Sequence, residues 1–132
     1  MYRFIIPTAL LLVGSAALSA DSYRARQEAR DAAALAKALD GLTPGKATSC
    51  INPRLINETE RIGDKILYKT SRREIWVNDT GGGCYGLSRG DAIVTRSYTG
   101  DLCRGDIIHT VDLPAHMPSG SCTFGDFVPY RK

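Results

Sequence analysis

Residues 65–78 read KILYKTSRREIWVN, two apolar runs joined by a polar centre. Ile, Tyr, Trp and Val favour pleated, packed surfaces, and the polar centre is short enough for a turn. The stretch predicts an antiparallel hairpin. A turn centred on Ser71-Arg72 sets Ile66 opposite Val77 and Tyr68 opposite Ile75 on one face. The other face then carries Leu67 opposite Trp76 and Lys69 opposite Glu74. If the first face is buried, Trp76 is partly exposed beside Arg72 and Arg73, an aromatic among cations suited to contact with a polymer or a protein. The competing arrangement covers Trp76 with a second packed layer or with an N-terminal helix.

Outward from the hairpin, Gly-Asp recurs before apolar stretches, at Gly63-Asp64, Gly90-Asp91, Gly105-Asp106 and Gly125-Asp126. Glycine supplies positive φ and aspartate bonds its own backbone, so each pair predicts a turn feeding a strand. Their uneven spacing excludes a repeat array. The β-rich character begins near Thr48. Before it, residues 22–40 (SYRARQEARDAAALAKALD) are rich in good helix formers, with Ala32, Leu35, Leu39 and Leu42 near one stripe. Gly41 and Pro44-Gly45 end that pattern. The fold expected is mainly β, a small antiparallel sheet or partly closed barrel with two disulfides, preceded by one N-terminal α-helix.

The first twenty residues, MYRFIIPTALLLVGSAALSA, read as a signal peptide. Arg3 gives a positive start, residues 5–13 an apolar run broken only by Pro7 and Thr8, and small residues follow. Cleavage after Ala20 is favoured over cleavage after Ala17, and no cysteine follows either site, which excludes a lipoprotein signal. The apolar run is shorter than the ~20 residues of a spanning helix. The expected organisation is a signal peptide over 1–20, helix and linker over 21–47, and a disulfide-stabilised β domain over 48–132, periplasmic or secreted.

All four cysteines, Cys50, Cys84, Cys103 and Cys122, fall in the β-rich part. An even count in a small exported domain reads as two disulfides. No C-x-x-C pair occurs, and the histidines are His109 and His116 alone, so no metal site is expected. Chain entropy does not choose among the connectivities, since each gives roughly 7 to 8 kcal/mol in total. Cys50 opens the first strand and Cys122 the last, which predicts Cys50–Cys122 with Cys84–Cys103, tying the domain ends together. The sequential alternative, Cys50–Cys84 with Cys103–Cys122, splits the domain into two lobes.

Charge and motifs narrow the function classes. The chain has 17 Lys+Arg against 14 Asp+Glu, and the arginines are dispersed, so a nucleic-acid partner is not expected. Arg89-Gly90-Asp91 and Arg104-Gly105-Asp106 match an adhesion tripeptide but fit the turn pattern equally well. Asn57-Glu58-Thr59 and Asn78-Asp79-Thr80 match the glycosylation sequon. Gly81-Gly82-Gly83 lacks the Lys-Ser/Thr and helix of a phosphate loop, and reads as a bend into Cys84. His109 alternates with Ile107 and Val111 and is expected half-buried and hydrogen-bonded, and His116 sits in the loop of DLPAHMPSG, residues 112–120. Asp106, His109 and Asp112 could meet in space, but no G-x-S-x-G or H-E-x-x-H pattern joins them. No catalytic residue and no cofactor are expected.

Cys84-x-Gly86-Leu87, Gly90-Asp91, Leu102-Cys103-Arg104-Gly105-Asp106-Ile107 and Cys122-x-x-Gly125-x-Phe127, with Cys50-Ile51 at the opening strand, together resemble one family. It is a family of small exported proteobacterial proteins known only as a domain of unknown function. The resemblance covers residues 48–130, implies a periplasmic or secreted location, and carries over no catalytic residue. The function expected is a non-catalytic structural or binding role in the periplasm, toward a periplasmic protein or cell-envelope polymer. The alternative is an inhibitor of a hydrolase such as a lysozyme, with residues 112–120 as the inserted loop. A small hydrolase using His109 is the third class.

Overall fold

In the computed structural model, which describes residues 15–132, the chain is mainly β, with one helix preceding antiparallel sheets. The helix α1 spans Ser15–Ala38. The strands are β1 (Thr43–Pro44), β2 (Cys50–Ile51), β3 (Glu58–Ile62), β4 (Lys65–Ser71), β5 (Glu74–Asp79), β6 (Ala92–Thr95), β7 (Leu102–Cys103), β8 (Ile107–Asp112), β9 (Met117–Thr123) and β10 (Phe127–Arg131). A five-stranded sheet has the order β1-β10-β5-β4-β3, a three-stranded sheet the order β6-β8-β9, and β2 pairs with β7. Of the segment read as a signal peptide, residues 1–14 lie outside the described residues, and α1 runs through both expected cleavage positions.

The four Gly-Asp pairs stand where the sequence places them, immediately before β4, β6, β8 and β10. The sharpest is Gly63-Asp64, a two-residue link between Ile62 and Lys65. Gly63 has φ 57°, which a first central residue of a type II′ hairpin turn requires and a β-carbon would strain.

The hairpin of β4 and β5 forms, but one residue out of the expected register. Leu67 pairs with Val77 and Tyr68 with Trp76, and the ladder shifts between Lys69 and Ser71. The turn falls on Arg72-Arg73, where Ser71 Oγ accepts the Arg73 amide, while the Thr70 hydroxyl bonds Glu74. Lys69 consequently pairs with Glu58 and Glu60 on β3, and Glu74 with Arg131 on β10. A one-residue slip exchanges faces. Ile66 and Tyr68 join the core between the sheets with Phe124, Phe127, Ile108 and Leu102. Leu67, Ile75 and Val77 face the other way, onto Leu35 and Ala38 of α1 and Leu39 just after it. Both faces of this hairpin are covered, so the apolar pattern satisfies either register, and the side-chain bonds at the turn decide.

α1 touches the sheet through one stripe near its C-terminal end, while residues 20–26 are exposed. Ala32, expected on that stripe, is exposed, and the half-buried line runs instead through Gln27, Asp31 and Leu35. Among the described residues no helix is long and apolar enough to cross a membrane.

The disulfides are Cys50–Cys103 and Cys84–Cys122, a crossed connectivity that corrects the expected pairing of Cys50 with Cys122 and Cys84 with Cys103. That expectation took Cys122 as the start of the last strand. Cys122 lies inside β9, opposite Ile108, and β10 is the last strand. Cys50 and Cys103 stand directly opposite each other on β2 and β7. The ends of the β region do meet, through backbone bonds: β1 pairs with β10, and Thr48 and Phe127 exchange two hydrogen bonds. Two disulfides with no free cysteine among the described residues belong to an oxidising compartment.

Proteolysis of the unreduced protein at sites between the cysteines should release one linked pair containing Cys50 and Cys103 and another containing Cys84 and Cys122. Mass spectrometry of a Cys50–Cys122 pair would contradict the strand assignment of β9.

Candidate functional site

β8 and β9 form a hairpin whose tip is Leu113-Pro114-Ala115-His116. Three features stiffen it. Asp112 Oδ1 accepts the Ala115 amide at 3.0 Å. His116 takes φ 53°, a left-handed conformation held without glycine. Pro114 and Pro118 fix φ on either side of the turn. Leu113 and Met117 flank the tip at 61% and 62% exposure. The result is a convex, preorganised apolar prong.

A polar knot anchors the prong at its base. The ladder shifts between Thr110 and Val111, leaving Ser119 as the extra residue of a β-bulge in β9. Ser119 is packed under the turn of residues 84–91, itself tied to β9 by Cys84–Cys122. Gly86 permits this approach: a β-carbon there would lie 2.4 Å from Ser119 Oγ and 2.5 Å from Asp91 Oδ2. Asp91, with its side chain 10% exposed, accepts from Arg89 at 2.7 Å. Arg61 on β3 reaches across to donate to the Asp91 backbone carbonyl. The nearby Ser119 hydroxyl, then the Arg89 guanidinium, hold the Asp91 carboxyl below the usual carboxylate range, against an opposing desolvation effect, although Ser119 Oγ is buried without a well-formed hydrogen bond among the described residues.

Three open depressions run on from the prong. One of about 450 Å³ lies between Arg89–Ala92 and Asp112–Pro114. A second, about 510 Å³, shares Arg89 and Gly90 with it and runs along β3. A third, about 430 Å³, shares Thr59 and Arg61 with the second and enters the gap between β3 and β6.

The residues singled out from sequence lie elsewhere. Trp76 is half-buried against the inter-sheet core, and the cation over its ring is Arg131, 5.3 Å from the ring centroid. Arg72 and Arg73 are exposed in the β4–β5 turn. His109 is exposed, contrary to the expected half-buried position. It projects from the outer face of the three-stranded sheet, opposite Val94 and Ser121, because Ile108 and Thr110 occupy the inner face. Asp106 accepts the Cys103 amide and Asp112 the Ala115 amide, so each carboxylate serves a separate turn. Of the two sequons, Asn78 is fully buried, and Asn57 is exposed with its amide on the Thr70 carbonyl. Both Arg-Gly-Asp copies are turns, Arg89 pairing with Asp91 and Arg104 with Asp126. No group of His, Cys, Asp and Glu side chains able to hold a metal occurs among the described residues. The knot of Arg61, Asp91 and Ser119 escaped sequence reasoning because three distant segments supply it.

Because its folded pKa is depressed, Asp91 contributes stability that is complete above its unfolded-chain value of ~3.9 and is lost as pH falls through the folded value. Denaturation measured from about pH 5 to about pH 2 should show a shallower loss for Asp91→Asn than for the unaltered protein. Parallel pH profiles would contradict the knot. No family model, no curated protein and no solved structure matches the chain.

Proposed function

We propose that this chain is an exported, non-catalytic binding domain of a bacterial cell envelope, periplasmic or secreted, which docks on a partner protein through the β8–β9 prong. The leader-like first twenty residues, the two disulfides and the family resemblance support that location. The observation that carries the binding reading is the prong, with Leu113 and Met117 exposed on a turn stiffened by prolines and a carboxylate cap. A rigid apolar projection loses little conformational entropy on docking and complements a concave surface. The same convexity favours a narrower second reading, inhibition of an envelope hydrolase such as a lysozyme by insertion of the tip into its cleft.

The immobilised protein should retain a partner from periplasmic extract, and a Leu113→Ser, Met117→Ser variant should bind it at least tenfold more weakly with unchanged thermal unfolding. Buried apolar anchors of this kind are typically worth about 2 kcal/mol or more. Equal retention by the variant would contradict the prong reading. Loss of lysozyme activity on adding the protein, but not the variant, would select the inhibitor.

A further inference from the structure

The five-stranded sheet ends at β3 and the three-stranded sheet at β6, and these two edges border the third depression. β3 and β4 are closed by the two-residue Gly63-Asp64 turn, with Ile62 opposite Lys65. Hydrogen-bonded and non-bonded pairs alternate along an antiparallel ladder. Counted from that turn, Ile62 and Glu60 direct their backbone groups to β4, while Arg61 and Thr59 direct theirs outward. The side chains of Arg61 and Thr59 lie opposite Ile66 and Tyr68, on the inter-sheet face. Among the described residues, these two thus offer unpaired backbone donors and acceptors beside a slot lined by the buried Tyr68 and Leu102, by Ile93 of β6 and by Ile56.

The charges that blunt β3 lie on its other face, where Lys69 binds Glu58 and Glu60. On the slot side the one charged lining residue is Arg61, which forms no ion pair among the described residues. It donates to the Asp91 backbone carbonyl, and the carboxylate of Asp91 is engaged by Arg89. The slot therefore combines a strand edge without a neighbouring strand among the described residues, an apolar lining and a cation whose one bond is to a backbone carbonyl.

We propose that this slot binds an extended peptide segment of a partner protein, which adds to β3 as a sixth strand. An aliphatic side chain of the peptide rests on Tyr68 and Leu102, and a carboxylate next to it pairs with Arg61. Main-chain bonds give such a complex its affinity and the alternating pockets its selectivity. The slot lies apart from the exposed tip of the prong, and the two sites share Arg61, which also bonds Asp91 in the knot at the prong's base.

The test is to pan a phage-displayed library of randomised heptapeptides against the whole protein and to titrate the synthesised winner by NMR. Enriched peptides should carry an aliphatic residue near an acidic one, and the winner should protect the Thr59 and Arg61 amides from exchange. Thr59→Pro removes an outward donor without touching the β4 ladder, the position where an edge strand tolerates proline. It should weaken binding at least thirtyfold, and Arg61→Gln should weaken it about tenfold and abolish the acidic preference. Ile93→Trp, which fills the slot from β6, should block binding with β3 unaltered. Failure to enrich any peptide, unchanged binding by Thr59→Pro and Ile93→Trp, or a second copy of this chain seated on β3 would each overturn the proposal.

Discussion

The carboxamide of Asn78 holds the two sheets in register with each other. Fully buried on β5, it donates to the Gly125 carbonyl at 2.8 Å and accepts the Gly125 amide at 3.1 Å. A further bond reaches the Asp126 carbonyl. Gly125 lies where the chain leaves β9 of the three-stranded sheet and enters β10 of the five-stranded one. A β-carbon there would meet the Asp79 carbonyl at 2.4 Å, so the segment passes only as glycine. Without Asn78, the amide and carbonyl of the half-buried Gly125 would lose these partners, at up to about 1–3 kcal/mol for each group left unsatisfied.

The remaining architecture depends on this crossing. Phe124 and Phe127, on either side of Gly125-Asp126, pack edge-on and tilted against Tyr68 and each other, with ring centroids 5.3 to 6.3 Å apart, so the crossing carries the aromatic centre of the core. β10 then runs beside β5 and receives β1, bringing the ends of the β region together without a disulfide. The disulfides brace strands next to the crossing, Cys84–Cys122 beneath the prong and Cys50–Cys103 at the small β2–β7 sheet, whose flanking residues bond Phe124 and Phe127. Between them, β3 and β6 are left as facing edges joined by the Arg61 to Asp91 bond. Both surfaces suited to binding, the prong and the slot, thus sit on a frame whose two sheets are joined at the Gly125 crossing.

Local chemistry was legible in the sequence, and long-range geometry was not. Each Gly-Asp pair carries its own reason to turn, so those four strand starts could be read without knowing any partner. The hairpin of residues 65–78 was readable as a hairpin, yet its register was not, because both faces end up buried and alternation prefers neither. The disulfide pairing depended on which strand came last, and a weakly apolar stretch, Met117–Thr123, with Pro118 and Gly120, concealed a strand before it. His109 looked half-buried from its apolar neighbours, but on the outer face of its sheet Ile107 and Val94 are exposed with it, and no described residue covers them. The turn of DLPAHMPSG was visible as a loop, while the knot supporting it required contacts among β3, the 84–91 turn and a bulge in β9.

Urea denaturation of Asn78→Ala tests the account most directly, because this substitution removes the clamp while leaving both disulfides and all the aromatic side chains in place. A loss of about 2–4 kcal/mol is expected, with a single cooperative transition followed through Trp76 fluorescence. A loss below about 0.5 kcal/mol, the range of ordinary surface substitutions, would contradict the claim that Asn78 positions the sheets.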